Sequence, residues 1–204
     1  MHIFRIPRIF PMLFPKWKWR GNSGEKAVYI TFDDGPHPVI TPWVIEKLAE
    51  FNAGATFFCV GENAQKFPEI LQMIEEKGHK TGNHTFNHLK GWGKSAEVYV
   101  QNVKKASIHL PGNLFRPPYG RIKLSQAKKL QQLGYNIIMW SLLSCDYDPK
   151  LNRSKSLQQL IKHTQNGSIV VFHDSEKAFE NLKFLLPAYL EFLKNHGFEM
   201  KALS

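Results

Sequence analysis

The sequence predicts one α/β domain in which repeated βα units surround a parallel sheet or barrel. The first observation is length, because 204 residues suit a single domain with one sizeable core. The second is composition: 43% of the residues are hydrophobic and 22% are charged, as in ordinary globular proteins and unlike disordered chains. The third is order, since short apolar, β-rich runs alternate with longer helical patterns along the chain.

Seven β-rich runs are the predicted strands, and six segments with apolar residues at three- and four-residue spacing are the predicted helices. The strands are residues 27–32, 55–60, 80–83, 114–116, 136–141, 168–172 and 198–202. The helices are residues 42–51, 63–77, 96–109, 125–133, 157–163 and 179–195. Gly78, Gly134 and Gly197 each follow a helix, where a C-terminal glycine belongs, and Thr41 and Ser125 are the predicted N-caps.

Residues 1–24 are predicted to form an N-terminal arm that packs over the main domain, residues 25–204. Proline and arginine interrupt the apolar residues of positions 1–20, so neither a signal-peptide core nor a membrane-spanning helix fits there. We therefore expect a cytoplasmic protein. The alternative for residues 1–20 is peripheral membrane contact, because aromatic residues interleaved with Lys and Arg suit a membrane surface.

The chain carries a formal net charge of +10, from 27 Lys and Arg against 17 Asp and Glu. Such an excess attracts polyanions, but the basic residues are scattered without a long block of like charges. Nucleic acid is therefore not an expected partner, and no feature indicates an oligomeric state. Only Cys59 and Cys145 are present, which excludes a disulfide framework, and Cys59 lies in an apolar run where a buried thiol is expected.

Unusual polar residues cluster after the predicted strands, at or just beyond their C-terminal ends. In a parallel βα architecture these ends converge on one face, where barrel enzymes assemble their active sites. The residues are Asp33 and Asp34 after the first strand, His84 and His88 after the third, Arg116 at the end of the fourth, Asp146 after the fifth and His173 after the sixth. We therefore expect one constellation.

Two adjacent carboxylates, Asp33 and Asp34, leave the first strand just before Gly35 and Pro36. Adjacent side chains point in different directions, so one carboxylate can face a metal while the other faces a water molecule. This division of labour suits metal-assisted hydrolysis. The alternative is a plain Asp-Gly-Pro turn.

His84 and His88 lie four residues apart, so one helical turn or a tight loop brings both imidazoles to one side. With Asp34 they form a set of two histidines and one carboxylate. Such a set leaves positions open for water and substrate, as catalytic metal sites do. The alternative for an isolated pair of this kind is surface or cap chemistry.

Arg116 is followed by two prolines and then by Tyr119, so the backbone after the fourth strand is stiff. The fixed guanidinium would hold Asp33 in its ionised form. Prolines carry no N–H, so the Tyr119 N–H is the first backbone donor after Arg116 and a candidate for an oxyanion contact. The alternative is a structural loop.

His173 ends the sixth strand, where a neighbouring carboxylate would raise its pKa for duty as a general acid. Asp146 and Asp174 compete for this role of partner, and both remain open on the sequence. A lone histidine at a strand end is otherwise a structural residue.

Together these motifs resemble the polysaccharide deacetylase family, carbohydrate esterase family four, whose domain is also found in the rhizobial nodulation-factor deacetylase. The resemblance covers nearly the whole chain, and its five motifs occur in order. They are TFDDGP at 31–36, the H-[S/T]-x-x-H pattern at 84–88, RPPYG at 116–120, a degraded fourth motif at 140–147 and VFH at 171–173. The resemblance implies a distorted, incomplete (β/α) barrel, here with about seven strands.

The resemblance also implies hydrolysis of N-acetyl groups on N-acetylglucosamine-type glycans, giving acetate and a free amine. One divalent metal ion, usually zinc, with cobalt, nickel or manganese as alternatives, would be held by Asp34, His84 and His88. Asp33 would be the base that activates metal-bound water, and His173 the acid that protonates the departing amine.

The remaining residues of the implied site support these groups. Arg116 would orient Asp33, Asp146 would tune His173, and the Tyr119 N–H would stabilise the oxyanion beside Pro118. The fourth motif departs from the family pattern, with Leu143 where Asp is common and Tyr147 where Trp is common. Tyr147 still offers an aromatic face to a sugar ring.

Two other functions remain open on the sequence. The same scaffold would serve for another group, such as an O-acetyl, an N-formyl or a cyclic amide, because the metal polarises any of these carbonyls. From a different class, a glycan-binding module without catalysis would require a broken site, and the acid, base and ligand residues are all present.

Overall fold

The computed structural model describes residues 4–7 and 9–204, which form eight strands, eight α-helices and one 3₁₀ turn. The strands are β1 (Ala27–Asp33), β2 (Thr56–Cys59), β3 (Lys80–Asn83), β4 (Leu114–Phe115), β5 (Asn136–Ile137), β6 (Leu142–Leu143), β7 (Ser168–His173) and β8 (Glu199–Lys201). The helices are α1 (Ile9–Leu13), α2 (Ile40–Glu50), α3 (Gly61–Lys66), α4 (Pro68–Glu76), α5 (Ala96–Ser107), α6 (Leu124–Gln132), α7 (Arg153–His163) and α8 (Glu176–Asn195). The 3₁₀ turn is Pro118–Gly120.

The strands form one curled parallel sheet in the order β5-β4-β3-β2-β1-β7-β6, with β8 beside the start of β1. Every residue of the central strand β1 is buried, and Asp33 at its end is in register with His173 at the end of β7. In the described part of the chain, β5 and β6 are not paired with each other, so the sheet does not close. The predicted incomplete (β/α) barrel with about seven strands is therefore confirmed, with seven strands in the main order and β8 beside β1.

The side chains of the hydrophobic core come mostly from β1, β2 and β7 and from the long helix α8 that packs against them. Phe32 stacks on Phe57 and packs against Phe172, with ring centroids 5.0 and 6.0 Å apart. Both cysteines are buried and free, so the expectation for Cys59 is confirmed. The glycines predicted to end three helices have positive φ values of 80°, 90° and 66°, the left-handed conformation of a helix C-terminus: Gly78, Gly134 and Gly197.

Two predicted elements differ from the structure. The strand predicted over 136–141 is confirmed only for its first two residues, which form β5. Beyond them the Ile138 N–H still donates to Phe115 of β4, whereas the Met139 N–H donates to Lys18 of the arm and the Ser141 N–H donates to Ile169 of β7. The helix predicted over 63–77 is two helices, α3 and α4, because Pro68 cannot donate a backbone hydrogen bond and instead begins α4.

Both predicted N-caps are wrong. Thr41 lies inside α2 and is fully buried, and its hydroxyl donates to the Asp174 carboxylate rather than capping a helix. Ser125 lies inside α6, whose N-cap is Lys123. In both cases a long-range contact or a neighbouring residue decides the helix start, and the local sequence signal does not.

The N-terminal arm runs along the opening between β5 and β6. Its residue Lys18 bridges to Ile138, with an N–H to Ile137 carbonyl distance of 2.8 Å, and Arg5 bridges to Leu142. The arm thus pairs with both free edges of the sheet. No helix among residues 4–7 and 9–204 is both long enough and apolar enough to cross a bilayer. The boundary at residue 24 stays a prediction.

Candidate active site

Asp33 and Arg116 form a buried ion pair in which Arg116 Nη1 and Asp33 Oδ1 are 2.7 Å apart. Arg116 is completely buried, and its guanidinium also donates to the Thr31 hydroxyl at 2.7 Å and to the Met139 carbonyl at 3.1 Å. These bonds fix the guanidinium plane, since its donors have a rigid geometry. The carboxylate at the end of β1 is therefore held in one orientation, with its second oxygen, Oδ2, 4.0 Å from His84 Nε2.

Asp34, His84 and His88 converge on one point beside Asp33. One ligand atom from each lies within 4.8 Å of the others, and Asp34 Oδ1 is 3.9 Å from His84 Nε2 and 3.2 Å from His88 Nε2. Asp34 and His88 have positive φ values of 86° and 54°, so both side chains turn back towards the cavity from strained backbone. Each lies in the loop that follows a strand, which is why residues 50 positions apart meet.

The protonation of this cluster follows from its contacts. His84 Nδ1 is 2.8 Å from the Arg116 carbonyl oxygen, which can only accept, so Nδ1 carries the proton and Nε2 keeps a lone pair that could bind a metal ion. Burial lowers the pKa of His84 to about 4, which keeps the ring neutral near pH 7. Burial opposes ionisation of Asp34, but its hydrogen bond to His88 and the nearby histidines outweigh burial and lower its pKa.

His173, at the end of β7 and in register with Asp33, pairs with Asp146. The distance from His173 Nδ1 to Asp146 Oδ1 is 2.7 Å, and the His173 backbone N–H donates to Oδ2 at 2.8 Å. Burial alone would lower the pKa of His173, but the charge and hydrogen bond of Asp146, with weaker effects of Asp34 and Asp33, raise it to about 9. The ring is thus a proton donor at neutral pH.

Asp174, the other possible partner of His173, points elsewhere. Its carboxylate accepts a hydrogen bond from the Thr41 hydroxyl at 2.5 Å and from the Gly35 N–H at 3.0 Å. A Cβ on Gly35 would come within 2.1 Å of this carboxylate, so only glycine fits here. Burial raises the pKa of Asp174 to about 7. Asp174 therefore braces the turn after Asp34, and the pairing left open by the sequence goes to Asp146.

The three residues predicted to contact substrate differ in whether they line the cavity. Tyr119 and Tyr147 both line the cavity, and each ring contacts a different histidine: Tyr119 contacts His88 and Tyr147 contacts His173, at centroid distances of 4.7 and 5.2 Å. Pro118 is buried and is not part of the cavity lining among the described residues. Its contact with substrate stays a prediction.

The Tyr119 backbone is turned by a positive φ of 59°. The next two N–H groups, of Gly120 and Arg121, bond back to Pro117 and Pro118 at 3.0 and 3.1 Å. The Tyr119 N–H has no acceptor within the part of the chain that the structure describes. The sequence predicted this free donor, because the two prolines before Tyr119 carry no N–H.

The cavity that holds the histidines has a volume of about 890 Å³. Four residues outside the predicted motifs also line this cavity: Lys90, Arg121, Ser175 and Lys177. Three are cations that closely follow a predicted motif, so proximity to His88, Gly120 and His173 was a usable signal. Trp140 lines this cavity and also a second cavity beside the arm.

The fold and this cluster define the class of protein: a single-sheet barrel hydrolase whose polar site lies at the C-terminal strand ends. A family model described as polysaccharide deacetylase matches residues 20–138. That match spans more than half of the 204 residues, and the chain belongs to the polysaccharide deacetylase family.

Individual relatives agree with this assignment. A peptidoglycan-N-acetylglucosamine deacetylase of Bacillus cereus is 31% identical over 196 residues, which cover 91% of this chain and 90% of the relative. A chitooligosaccharide deacetylase of Azorhizobium caulinodans is 33% identical over 163 residues, covering 76% and 77%. A solved peptidoglycan N-acetylglucosamine deacetylase, in complex with a substituted N-oxidanyl-benzamide, superimposes with a TM-score of 0.83 at 26% identity, covering 95% of this chain and 94% of that one.

Proposed function

We propose that this protein is a metal-dependent deacetylase that hydrolyses the N-acetyl group of N-acetylglucosamine-type glycans to acetate and a free amine. The observation that carries the proposal is that an ion-paired carboxylate, Asp33, and a protonated imidazole, His173, line the same cavity as one Asp-His-His cluster. The relatives named for peptidoglycan and chitooligosaccharide support the choice of an N-acetylated sugar.

The donor atoms of Asp34, His84 and His88 fit a divalent metal ion. Two nitrogen or oxygen ligands of tetrahedral zinc, each about 2.0–2.1 Å from the ion, lie roughly 3.4 Å apart. The separations of 3.2 and 3.9 Å from Asp34 Oδ1 to the two imidazoles bracket that value. Two imidazoles and one carboxylate suit zinc, and cobalt, nickel or manganese are the alternatives. When bound, the ion would acidify a water molecule and polarise the acetyl carbonyl.

Asp33 is the group that takes the proton from the attacking water. Its Oδ1 is occupied by Arg116, while Oδ2 faces His84 at 4.0 Å and is the oxygen available for a proton. A base that is already aligned needs no reorganisation in the transition state, which is where a positioned carboxylate contributes most. Arg116 acts through Asp33 as a positioning residue.

The negative charge that develops on the acetyl oxygen needs a donor, and the Tyr119 N–H is the free backbone donor of the cavity rim. A backbone donor fixed by two prolines stabilises such charge without reorganisation. His173 then donates its proton to the departing nitrogen. Asp146 serves that step twice, because it keeps the imidazole protonated and fixes the ring so that Nε2 is the donating atom.

A direct test measures acetate release from N-acetylglucosamine oligomers by the purified full-length protein, before and after treatment with a chelator. We expect chelation to abolish release and added zinc, cobalt, nickel or manganese to restore it. Bound metal is measured by elemental analysis of the same samples, with an expected stoichiometry of about one ion for the single cluster.

The rival functions predict different results in the same assay. If O-acetylated or N-formylated sugars are hydrolysed and N-acetylated sugars are not, the proposed N-acetyl substrate is wrong and the hydrolysed sugar takes its place. A stoichiometric metal content with no turnover of any acylated sugar, together with oligomer binding, would contradict catalysis and support a glycan-binding module.

A further inference from the structure

The helix α1 of the N-terminal arm exposes an unusual concentration of apolar side chains. Ile9, Phe10, Met12 and Leu13 are 52%, 43%, 75% and 62% exposed, and no residue of this helix is buried. Exposed apolar residues scattered singly need no explanation, but four in one turn and a half of helix form a patch that water solvates poorly. We call these four residues the arm patch.

The arm patch is held on the surface by anchors on both sides. Before it, the Ile6 N–H donates to the Ser141 carbonyl at 3.0 Å. After it, the Lys18 N–H donates to Ile137 and the Lys18 carbonyl accepts from Met139, both at 2.8 Å. Trp17 and Trp19 beyond it are stacked at a centroid distance of 6.2 Å, with Trp19 buried in the barrel. The segment that carries the patch is therefore tied to the rest of the domain on both sides.

The charge around the arm patch has one sign. Residues 1–24 contain five cations and no acidic residue: Arg5, Arg8, Lys16, Lys18 and Arg20. The first acidic residue of the chain is Glu25, and the whole protein carries a net charge of +10. Apolar side chains within a segment that is rich in cations and free of acidic residues complement a surface that offers hydrocarbon beneath negative charge.

A second copy of the chain is a poor occupant for the same surface. A two-fold interface brings identical patches together, so the cations that flank one arm would face those of the other without acidic partners from residues 1–24. Nucleic acid supplies the negative charge but no apolar layer for Ile9, Phe10, Met12 and Leu13.

We propose that the arm patch and its flanking cations dock this protein on the surface of an anionic lipid bilayer. The four apolar side chains enter the boundary between headgroups and acyl chains, while the basic residues meet the headgroup charges. The helix is only five residues long, so the contact is peripheral and reversible. The proposal does not depend on the deacetylase reaction.

The test is co-sedimentation of the purified full-length protein with vesicles of phosphatidylcholine alone and of phosphatidylcholine containing one third phosphatidylglycerol. We expect binding to the anionic vesicles that weakens as salt is raised, and little binding to the neutral ones. The double variant M12S/L13S should lower the partition coefficient by about tenfold, because the two most exposed side chains of the patch lose their apolar contact.

A matched control replaces Ile108 and Leu133 with serine. These two apolar residues lie outside the arm and are 75% and 47% exposed, respectively. This variant should bind vesicles as the wild type does, and thermal denaturation should show that both variants fold. The proposal is overturned if the wild type does not bind anionic vesicles, or if M12S/L13S binds them with the same partition coefficient as the wild type. A dimer in sedimentation equilibrium that M12S/L13S dissociates would assign the patch to a second copy instead.

Discussion

The two walls of the cavity hold comparable pairs of charges that respond differently to pH. On the wall formed by β1, β3 and β4, Asp33 is paired with Arg116, whose guanidinium remains protonated at any pH the protein tolerates. On the wall formed by β6 and β7, Asp146 is paired with His173, an imidazole that titrates with a pKa of about 9. The first pair holds a carboxylate in place, whereas the second sets the protonation state of its partner. The pH dependence on the alkaline side should therefore come from the second wall alone.

The largest expected effect separates the two neighbouring carboxylates of the first wall. Replacing Asp33→Asn removes the proton acceptor but keeps the shape and the contact with Arg116, so kcat for acetate release should fall by about 10²–10⁴-fold. The metal content should not change, because Asp34 and both histidines are intact. Asp34→Asn is the matched variant and should lose the metal itself. Full activity in Asp33→Asn would remove Asp33 from the role of base.

The stability of the first wall should depend on the same ion pair. In Arg116→Met the carboxylate of Asp33 stays buried without its cation, and the free energy of unfolding should fall by about 3–5 kcal/mol. Urea denaturation measures this loss. Adding Asp33→Asn to Arg116→Met removes the unpaired charge and should recover part of the stability, so strictly additive losses would contradict a pairing that matters to folding.

The contrast between the walls also explains which parts of the site could be predicted from the sequence. Asp33, Asp34, His84, His88 and Arg116 follow β1, β3 and β4, whose C-terminal ends lie at the same edge of the parallel sheet, so strand-end logic alone brings them together. Their local motifs also contain the glycine and prolines that turn the backbone. The parallel order of the strands and the incomplete barrel could be predicted for the same reason.

Long-range packing decided what the sequence left open or predicted wrongly. Asp174 adjoins His173 in the chain, yet Thr41 and Gly35, more than 130 residues away, capture its carboxylate and leave Asp146 as the partner. Residues 138–141 have the composition of a strand, but the Met139 N–H and the Ser141 carbonyl bond to the arm, and the predicted strand ends after its first two residues, β5. No local pattern encodes a pairing between two such distant segments.

The pH profile tests the second wall. His173 acts as the proton donor, so activity should decline as pH rises through about 9, where the imidazole loses its proton. In Asp146→Asn the carboxylate that raises the pKa of His173 is gone and burial, which lowers it, remains. The alkaline limb of kcat should therefore move to lower pH. Asp174→Asn is the control, because it leaves the His173 pair intact and should not move that limb. Equal shifts in both variants would contradict the assignment of Asp146.

The smallest effect concerns Tyr147, the aromatic residue that stands where the family pattern has Trp. Its ring meets that of His173 edge-on at 5.2 Å and lines the cavity. If the ring packs against a sugar, Tyr147→Ala should raise KM by roughly 3–10-fold with little change in kcat, the size expected for one aromatic contact, and Tyr147→Trp should restore it. A fall in kcat with unchanged KM would mean that Tyr147 acts by shielding His173 from water. The second wall would then position only the acid, and recognition of the sugar would lie with the first wall and Tyr119.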